Sequence, residues 1–218
     1  MAEMDVLLRE RVLANREISP GVFLLTLSRN RGFRPGQVVA VTVEPAVPSR
    51  LYSIASGTGD EAMDLLFDVV PGGALSPRLA SLRPGDILYV SPPSGTFVDS
   101  ERRSVWIATG TGVAPFRSMA RSGLVQEKAL AHGSRFLSGL FFRDYFRETL
   151  GSSYVACCTR EEEDGVFPGR VTQWLEASPQ YGEAAYMLCG SAEMVVEVRD
   201  TLLKGGVPYA NVEAEIYF

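Results

Sequence analysis

Hydrophobic periodicity changes once along this chain, near residue 91, and that change limits the folds open to it. Before it, short apolar runs follow one another closely: VLLRERVLA, VFLLTLS, QVVAVTVE, RLYSIAS, MDLLFDVV and DILYVS, each ended by turn residues. Such spacing predicts an antiparallel sandwich or barrel. One segment inside it, LSPRLASL, reads as a short helix with Ser76 as N-cap and Pro77 at the first helical position. The stretch SPPSGTF (91–97) and the charged DSERR after it make a linker. Beyond it, strand and helix patterns alternate: VWIATG, APFRSMARS, KALAHGS, RDYFRETL, YVACCT, RVTQWLE, AYMLCG, AEMVVEVRDTLLK and NVEAEI. Alternation implies a parallel sheet covered on both faces. The expected fold is a two-domain β plus α/β chain. Residues 1–98 form an antiparallel β-barrel with one short helix, and residues 99–218 form a parallel-sheet α/β nucleotide-binding domain.

Charge and cysteine usage exclude several function classes. Residues 1–100 carry 9 basic and 11 acidic side chains and residues 101–218 carry 12 and 15, so neither half is a polycation suited to nucleic acid. The three cysteines, two of them adjacent, make no disulfide framework and no metal-site spacing, and they are too few for a four-cysteine iron–sulfur cluster. No apolar run approaches the roughly 18 residues of a membrane span, and the start MAEMDVLLRER lacks the basic and apolar regions of a signal peptide. The expectation is a cytoplasmic protein without membrane or metal.

At the head of the second half, IATGTGVAPF leaves a buried strand, turns through Gly110 and Gly112 and enters a helix near Pro115. Glycines allow close backbone approach, and free N–H groups at a helix start favour a phosphate. Ligands of open α/β sheets lie outside the carboxyl ends of the strands, where this loop falls. A tight turn without a ligand has the same sequence. The loop is neither a GxGxxG fingerprint nor a P-loop, which argues against a kinase or ATPase.

Four motifs in order and spacing carry a resemblance over essentially the whole chain: RLYS (50–53), VPGGALSPRL (70–79), TGTGVAP (109–115) and MLCGSAEMV (187–195). The chain resembles the ferredoxin–NADP⁺ reductase family, in particular its short bacterial branch. The resemblance implies FAD and NADP(H) as cofactors. In RLYS, Arg50 would pair with the FAD pyrophosphate, with Leu51 beside it. Tyr52 would lie on one face of the isoalloxazine, and Ser53 would bring its hydroxyl near flavin N5. Leu66, Phe67 and Asp68 would edge the flavin through their backbone. Gly73, Ala74, Leu75 and Ser76 would form a second phosphate cradle, and Thr111 would touch FAD as well.

For the dinucleotide, the resemblance implies Thr109, Gly110, Thr111 and Gly112 at the glycine loop, and Cys189, Gly190 and Ser191 at the nicotinamide end. Three arginines stand where the bacterial branch reads the 2′-phosphate of NADP: Arg135 at the end of HGSR, Arg160 in TRE and Arg170 in PGR, with Ser134 and Thr159 as hydroxyl donors beside the first two. Of the 21 basic residues only Lys128 and Lys204 are lysines, so composition alone could place arginines there. The neighbouring EEED (161–164) reads as a solvated loop. Cys189 is expected to orient the nicotinamide, or else to be a small core residue. Cys157 and Cys158, on opposite faces of one strand, are assigned to packing, as is the single histidine, His132.

The last residues, EAEIYF, match the family's terminal pattern at Glu215, Ile216 and Tyr217. Tyr217 would cover the flavin face opposite Tyr52, Phe218 would lie on the adenine of FAD, and Glu215 would relay a proton or tune the flavin. Alternatively, these residues complete a strand. The implied activity moves hydride between NADPH and flavin N5, then single electrons between the flavin and ferredoxin or flavodoxin, in a monomer. Two other readings fit the same fold. One is an NAD(P)H-dependent reductase serving an oxygenase or reducing free flavin. The other is a non-catalytic flavin-binding electron-transfer or redox-sensing subunit.

Overall fold

The structure, a computed structural model, describes residues 7–99, 102–177 and 184–217. The chain divides into two compact units, Met1–Val98 with Ala114–Ser122, and Asp99–Val113 with Gly123–Phe218.

The first unit contains β1 (Leu8–Ser19), β2 (Val22–Ser28), β3 (Val38–Thr42), β4 (Arg50–Ser53), β5 (Ala62–Asp68), the helix α1 (Ser76–Ala80) and β6 (Ile87–Val90). The six strands form one sheet in the order β4-β3-β6-β1-β2-β5, with every neighbouring pair antiparallel. Two irregularities in β1, between Val12 and Ala14 and between Glu17 and Ser19, increase its twist and help the sheet curl. Val39, Val41, Leu25, Leu27, Leu65 and Leu88 then meet inside as a closed apolar core. The two ends of the sheet join at the Ile54–Leu65 bridge, at the bond from Ala55 N–H to the Asp64 carbonyl, 2.8 Å, and at that from Asp64 N–H to Ser56 Oγ, 3.1 Å. Arg50–Ser53 and Leu66–Asp68 continue past this closure as the two edges of a barrel seam.

Ser76 departs from its expected place as N-cap of α1. Leu75 holds that position without a side-chain cap, and Ser76 is the first helical residue. Its hydroxyl instead accepts the Val70 N–H at 2.9 Å, while Gly73 N–H donates to the Val70 carbonyl at 2.9 Å. The serine thus shapes the loop before the helix.

The helix α2 (Ala114–Arg121) is grouped with the barrel although it follows the glycine loop. Arg117 Nη1 donates to the Ala55 carbonyl at 2.8 Å and to Asp64 at 2.9 Å. Arg121 makes a two-toothed pair with Asp60, 2.7 Å on each arm, and Ser118 Oγ donates to the Ser56 carbonyl at 2.7 Å. The Arg121 guanidinium holds the Asp60 carboxyl below its usual range. These bonds clip the helix to the residues that close the barrel.

The second unit carries β7 (Ser104–Thr109), β8 (Lys128–Ser134), α3 (Arg143–Leu150), β9 (Tyr154–Cys158), β10 (Val166–Pro168), α4 (Val171–Ala177), β11 (Ala185–Ser191), α5 (Ala192–Lys204) and β12 (Val212–Tyr217). All pairings in this sheet are parallel, in the order β10-β9-β8-β7-β11-β12. The strand β10 is an addition that the hydrophobic pattern does not announce. On one face Ile107, Ala131, Cys157 and Leu188 pack against Val171 and Leu175 of α4 and Val198 and Leu202 of α5. On the other, Phe146 of α3 stacks on Tyr154 at 5.8 Å, and Tyr154 meets His132 edge-on. Lys128 is buried at the start of β8, where its ammonium pairs with Asp99 at 3.0 Å and donates to the Arg102 carbonyl. Among the described residues, no helix is long and apolar enough to cross a membrane.

His132 is fully buried, with Nδ1 3.3 Å from the Tyr154 hydroxyl and no partner for Nε2 among the described residues. Burial pushes its pKa down to about 3. Above pH 6.5 the ring is neutral whether folded or unfolded. As pH falls from 6.5 towards 3, only the unfolded chain takes the proton, so stability drops by at most about 1.4 kcal/mol per pH unit. Chemical denaturation between pH 7 and 4 should show this slope, reduced in His132→Phe.

Candidate functional site

The strand order reverses between β7 and β11. From β7 the chain builds outward through β8, β9 and β10, then returns to β7's other side with β11 and β12. A crevice at the carboxyl ends of the strands opens at such a reversal. Here the ends are Thr109, leading into the turn Gly110–Val113, and Gly190–Ser191, leading into α5.

The two loops touch through backbone. A β-carbon on Gly112 would lie 2.7 Å from Gly190 Cα and closer still to the Cys189 carbonyl, so only glycine fits. Gly190 has φ +150°, and a β-carbon there would strike the Thr109 hydroxyl and lie 3.0 Å from Met194 Cε. Thr109 Oγ1 is itself buried with no hydrogen-bond partner among the described residues. Ser191 caps α5 by accepting the Met194 N–H at 3.4 Å.

Next to this crevice, the parallel register pairs Cys189 with Glu215 and Ser191 with Tyr217. Paired residues of parallel strands share a face, and so do residues two apart. Cys189, Glu215 and Tyr217 therefore converge. Cys189 Sγ lies 3.9 Å from Glu215 Oε2. Burial pushes the thiol pKa well up and the Glu215 carboxylate adds to this, against a hydrogen bond from Tyr217. A protonated thiol is a small, weakly polar surface and no nucleophile. Phe218 lies outside the described residues.

Further along the same edge, β8, β9 and β10 end level with one another, Ser134 opposite Cys158 and Cys158 opposite Pro168. Each end is followed within two residues by an arginine. Thr159 N–H donates to the Ser134 carbonyl at 3.2 Å, and Cys158 Sγ to the Arg135 carbonyl at 3.3 Å, tying the first two ends together. Arg135 and Arg160 are exposed, and neither side chain forms an ion pair among the described residues. Arg170 differs: its guanidinium meets Glu193 at 3.0 Å and Glu197 at 3.2 Å, both on α5, and the Glu193 carboxylate in particular raises its pKa.

The acidic run 161–164 is exposed, as a solvated loop should be, yet two of its carboxylates have partners. Glu161 accepts the Leu137 N–H at 2.6 Å, and Glu163 pairs with Arg143 at 2.9 Å and Arg147 at 3.4 Å. These two carboxylates are turned to the loop after β8 and to α3. Pairs between residues 16 to 24 apart leave no local signal in sequence.

In the barrel, Arg50 and Leu51 are exposed on the β4 edge, Leu51 by 65 %, while Ser53 is buried. Tyr52 is half-buried, edge-on to Phe67 at 6.0 Å, and burial pushes its phenol up to about 12 despite Arg50 beside it. Across the seam, Leu66 and Phe67 are buried and Asp68 is exposed. Among the described residues no protein acceptor takes the N–H of Ala74, Leu75 or Ser76, the three amides that precede Pro77.

Comparison with known proteins agrees with both halves. Residues 8–98 match the family described as "Oxidoreductase FAD-binding domain" and residues 106–200 that described as "Oxidoreductase NAD-binding domain". A ferredoxin–NADP reductase of Pseudomonas aeruginosa is 35 % identical, over 91 % of this chain and 90 % of its own. The chain belongs to the ferredoxin–NADP reductase family. A second member, ferredoxin–NADP reductase B of Sorangium cellulosum, is 34 % identical over 95 % of this chain and 96 % of its own. The fold is shared with a ferredoxin NADP⁺ reductase from Neisseria gonorrhoeae solved with bound FAD and NADP, at a TM-score of 0.89 and 20 % identity, covering 98 % of this chain and 99 % of that one.

The residues present fit both cofactors of that family. The seam of the barrel offers a half-buried aromatic, a buried hydroxyl and unclaimed loop amides for a flavin nucleotide. The crevice offers a glycine turn packed directly on the Cys189–Gly190 backbone, where a β-carbon would force the strand ends apart, and a buried threonine hydroxyl unpartnered among the described residues, for a dinucleotide. Gly112→Ala should therefore disturb the second and spare the first. Overpacking of this kind costs about 1–3 kcal/mol. Titration should show at least roughly tenfold weaker dinucleotide binding, with flavin content unchanged.

Proposed function

We propose that this protein transfers hydride between NADPH and FAD and single electrons between FAD and a one-electron carrier, ferredoxin or flavodoxin, acting as a monomer. Bound FAD supplies the coupling of two-electron to one-electron chemistry. The protein's own side chains bind, orient and desolvate.

On the barrel, Arg50 holds the pyrophosphate with the help of Leu51, Gly73 and the amides of Ala74, Leu75 and Ser76. Tyr52 covers one flavin face, Ser53 places its hydroxyl at N5, and the backbone of Leu66, Phe67 and Asp68 lines the ring edge. In the α/β unit, Thr109, Gly110, Thr111 and Gly112 receive the dinucleotide pyrophosphate, Thr111 also serving the flavin. Cys189, Gly190 and Ser191 orient the nicotinamide. The neutral thiol of Cys189 contributes shape, and Glu215 beside it relays a proton or tunes the flavin. Tyr217, as the terminal pattern implies, would cover a flavin face.

The observation that carries NADP over NAD is the level ending of β8 and β9, which brings Ser134, Arg135, Thr159 and Arg160 together with both guanidinium groups exposed. Two planar cations and two hydroxyls suit a phosphate monoester better than a ribose hydroxyl. The relatives' names support ferredoxin as the carrier.

The purified protein should be yellow, and anaerobic NADPH should bleach it much faster than NADH. Arg160→Ala should raise the KM for NADPH by roughly 10- to 100-fold, as expected for loss of a charge-assisted hydrogen bond, and leave that for NADH in place. Equal losses with both would refute the phosphate-reading role. A reduced protein that passes electrons to neither ferredoxin nor flavodoxin but to an oxygenase or to free flavin would overturn the carrier assignment.

A further inference from the structure

Arg170 stands level with the other two arginines but is held elsewhere. Gly169 N–H donates to the Cys158 carbonyl at 2.9 Å, which fixes the chain just before Arg170 beside the end of β9. Its own N–H donates to Gln173 Oε1 at 2.8 Å, completing the first turn of α4. The backbone is thus anchored at the carboxyl edge, next to Thr159 and Arg160. The side chain turns to α5, where Glu193 and Glu197, four residues apart on one helix face, share the Nη1 group at 3.0 and 3.2 Å.

All three side chains are largely open to solvent, Arg170 by 54 %, Glu193 by 67 % and Glu197 by 41 %. Ion pairs this exposed are weak and exchange readily. A phosphate dianion competes for a guanidinium more strongly than a solvated carboxylate does. Two carboxylates sharing one arginine also place negative charge close to the point where a phosphate would have to reach that arginine.

We propose that Glu193 and Glu197 are specificity-determining residues of this protein. They hold Arg170 in reserve, and its transfer from the carboxylates to the 2′-phosphate sets how far NADPH is preferred over NADH. This rests on the NADP reading above and names the groups that oppose it. Arg135 and Arg160 form the standing part of the phosphate site, and Arg170 is the part that must be released. NADH, without the phosphate, leaves the Glu193–Arg170–Glu197 cluster in place.

The test uses the flavin-loaded full chain. In Glu193→Gln/Glu197→Gln, the Kd for NADP⁺ should fall by about three- to tenfold, the size expected of exposed ion pairs, with the KM for NADH unchanged. Adding Arg170→Ala to that double variant should remove the gain, because the liberated cation is its source. An unchanged Kd for NADP⁺, or equal changes for both cofactors, overturns the proposal. So does a gain that survives Arg170→Ala, since the carboxylates would then act by repulsion alone. A lower melting temperature with no gain in NADP⁺ affinity likewise overturns it and makes the cluster a clasp between α4 and α5. Failure of the underlying reading shows separately, as a wild-type protein that uses NADPH and NADH alike and an Arg160→Ala variant that does not alter the ratio.

Discussion

The α/β unit depends on one backbone contact. Gly112 rests on the carbonyl of Cys189 and the Cα of Gly190, so the loops leaving β7 and β11 are in van der Waals contact without a side chain between them. This happens where the sheet reverses its direction of growth, and it decides what surrounds the reversal. With the loops closed on each other, the Thr109 hydroxyl is buried against Gly190, and Ser191 is left in position to cap α5. The β11–β12 register, fixed by six consecutive pairs, then brings Glu215 and Tyr217 to Cys189. A side chain at position 112 would push the two strand ends apart and break this sequence at its first step.

Arginine is used here for two different purposes, and only structure separates them. Arg29 donates to the carbonyls of Arg31, Gly57, Thr58 and Asp60 and lies 4.9 Å from the Phe33 ring centroid, so it braces a loop. Arg117 and Arg121 clip α2 to the barrel closure, and Arg143 and Arg147 hold Glu163. Each has its charge answered within its own unit. Arg50, Arg135 and Arg160 are exposed and without a carboxylate partner among the described residues. An arginine fork with no carboxylate to match retains its donors for a phosphate.

That sorting explains how much was legible beforehand. The fold was readable because the period of apolar residues changes from short broken runs to strand–helix alternation, and α3, α5 and β8 fall on the residues that their patterns indicate. Local rules failed where tertiary bonds overrode them. Ser76 gives its oxygen to Val70 rather than to its own helix, and β10, three residues with a proline, is too short for any periodicity. The motif residues proposed for the site stand out in the sequence because most sit near a strand end or in a glycine turn. The pairing of Arg170 with α5 could not, since 23 and 27 residues separate the partners and no local pattern links them.

The same logic bears on Glu215 and Tyr217. They lie on β12, the edge strand of its sheet, which pairs with β11 alone among the described strands. An edge strand keeps one row of backbone groups and one flank of side chains available to something other than its neighbour. Every residue of β12 is accordingly at least partly exposed, whereas Ala185 to Gly190 of β11 are all buried. Cys189 is thus presented from the buried strand and its two partners from the partly exposed edge strand. A thiol kept neutral by burial and by a neighbouring carboxylate tolerates small movements of that edge without changing charge. The edge position of β12 leaves Glu215 and Tyr217 partly exposed while Cys189 stays buried.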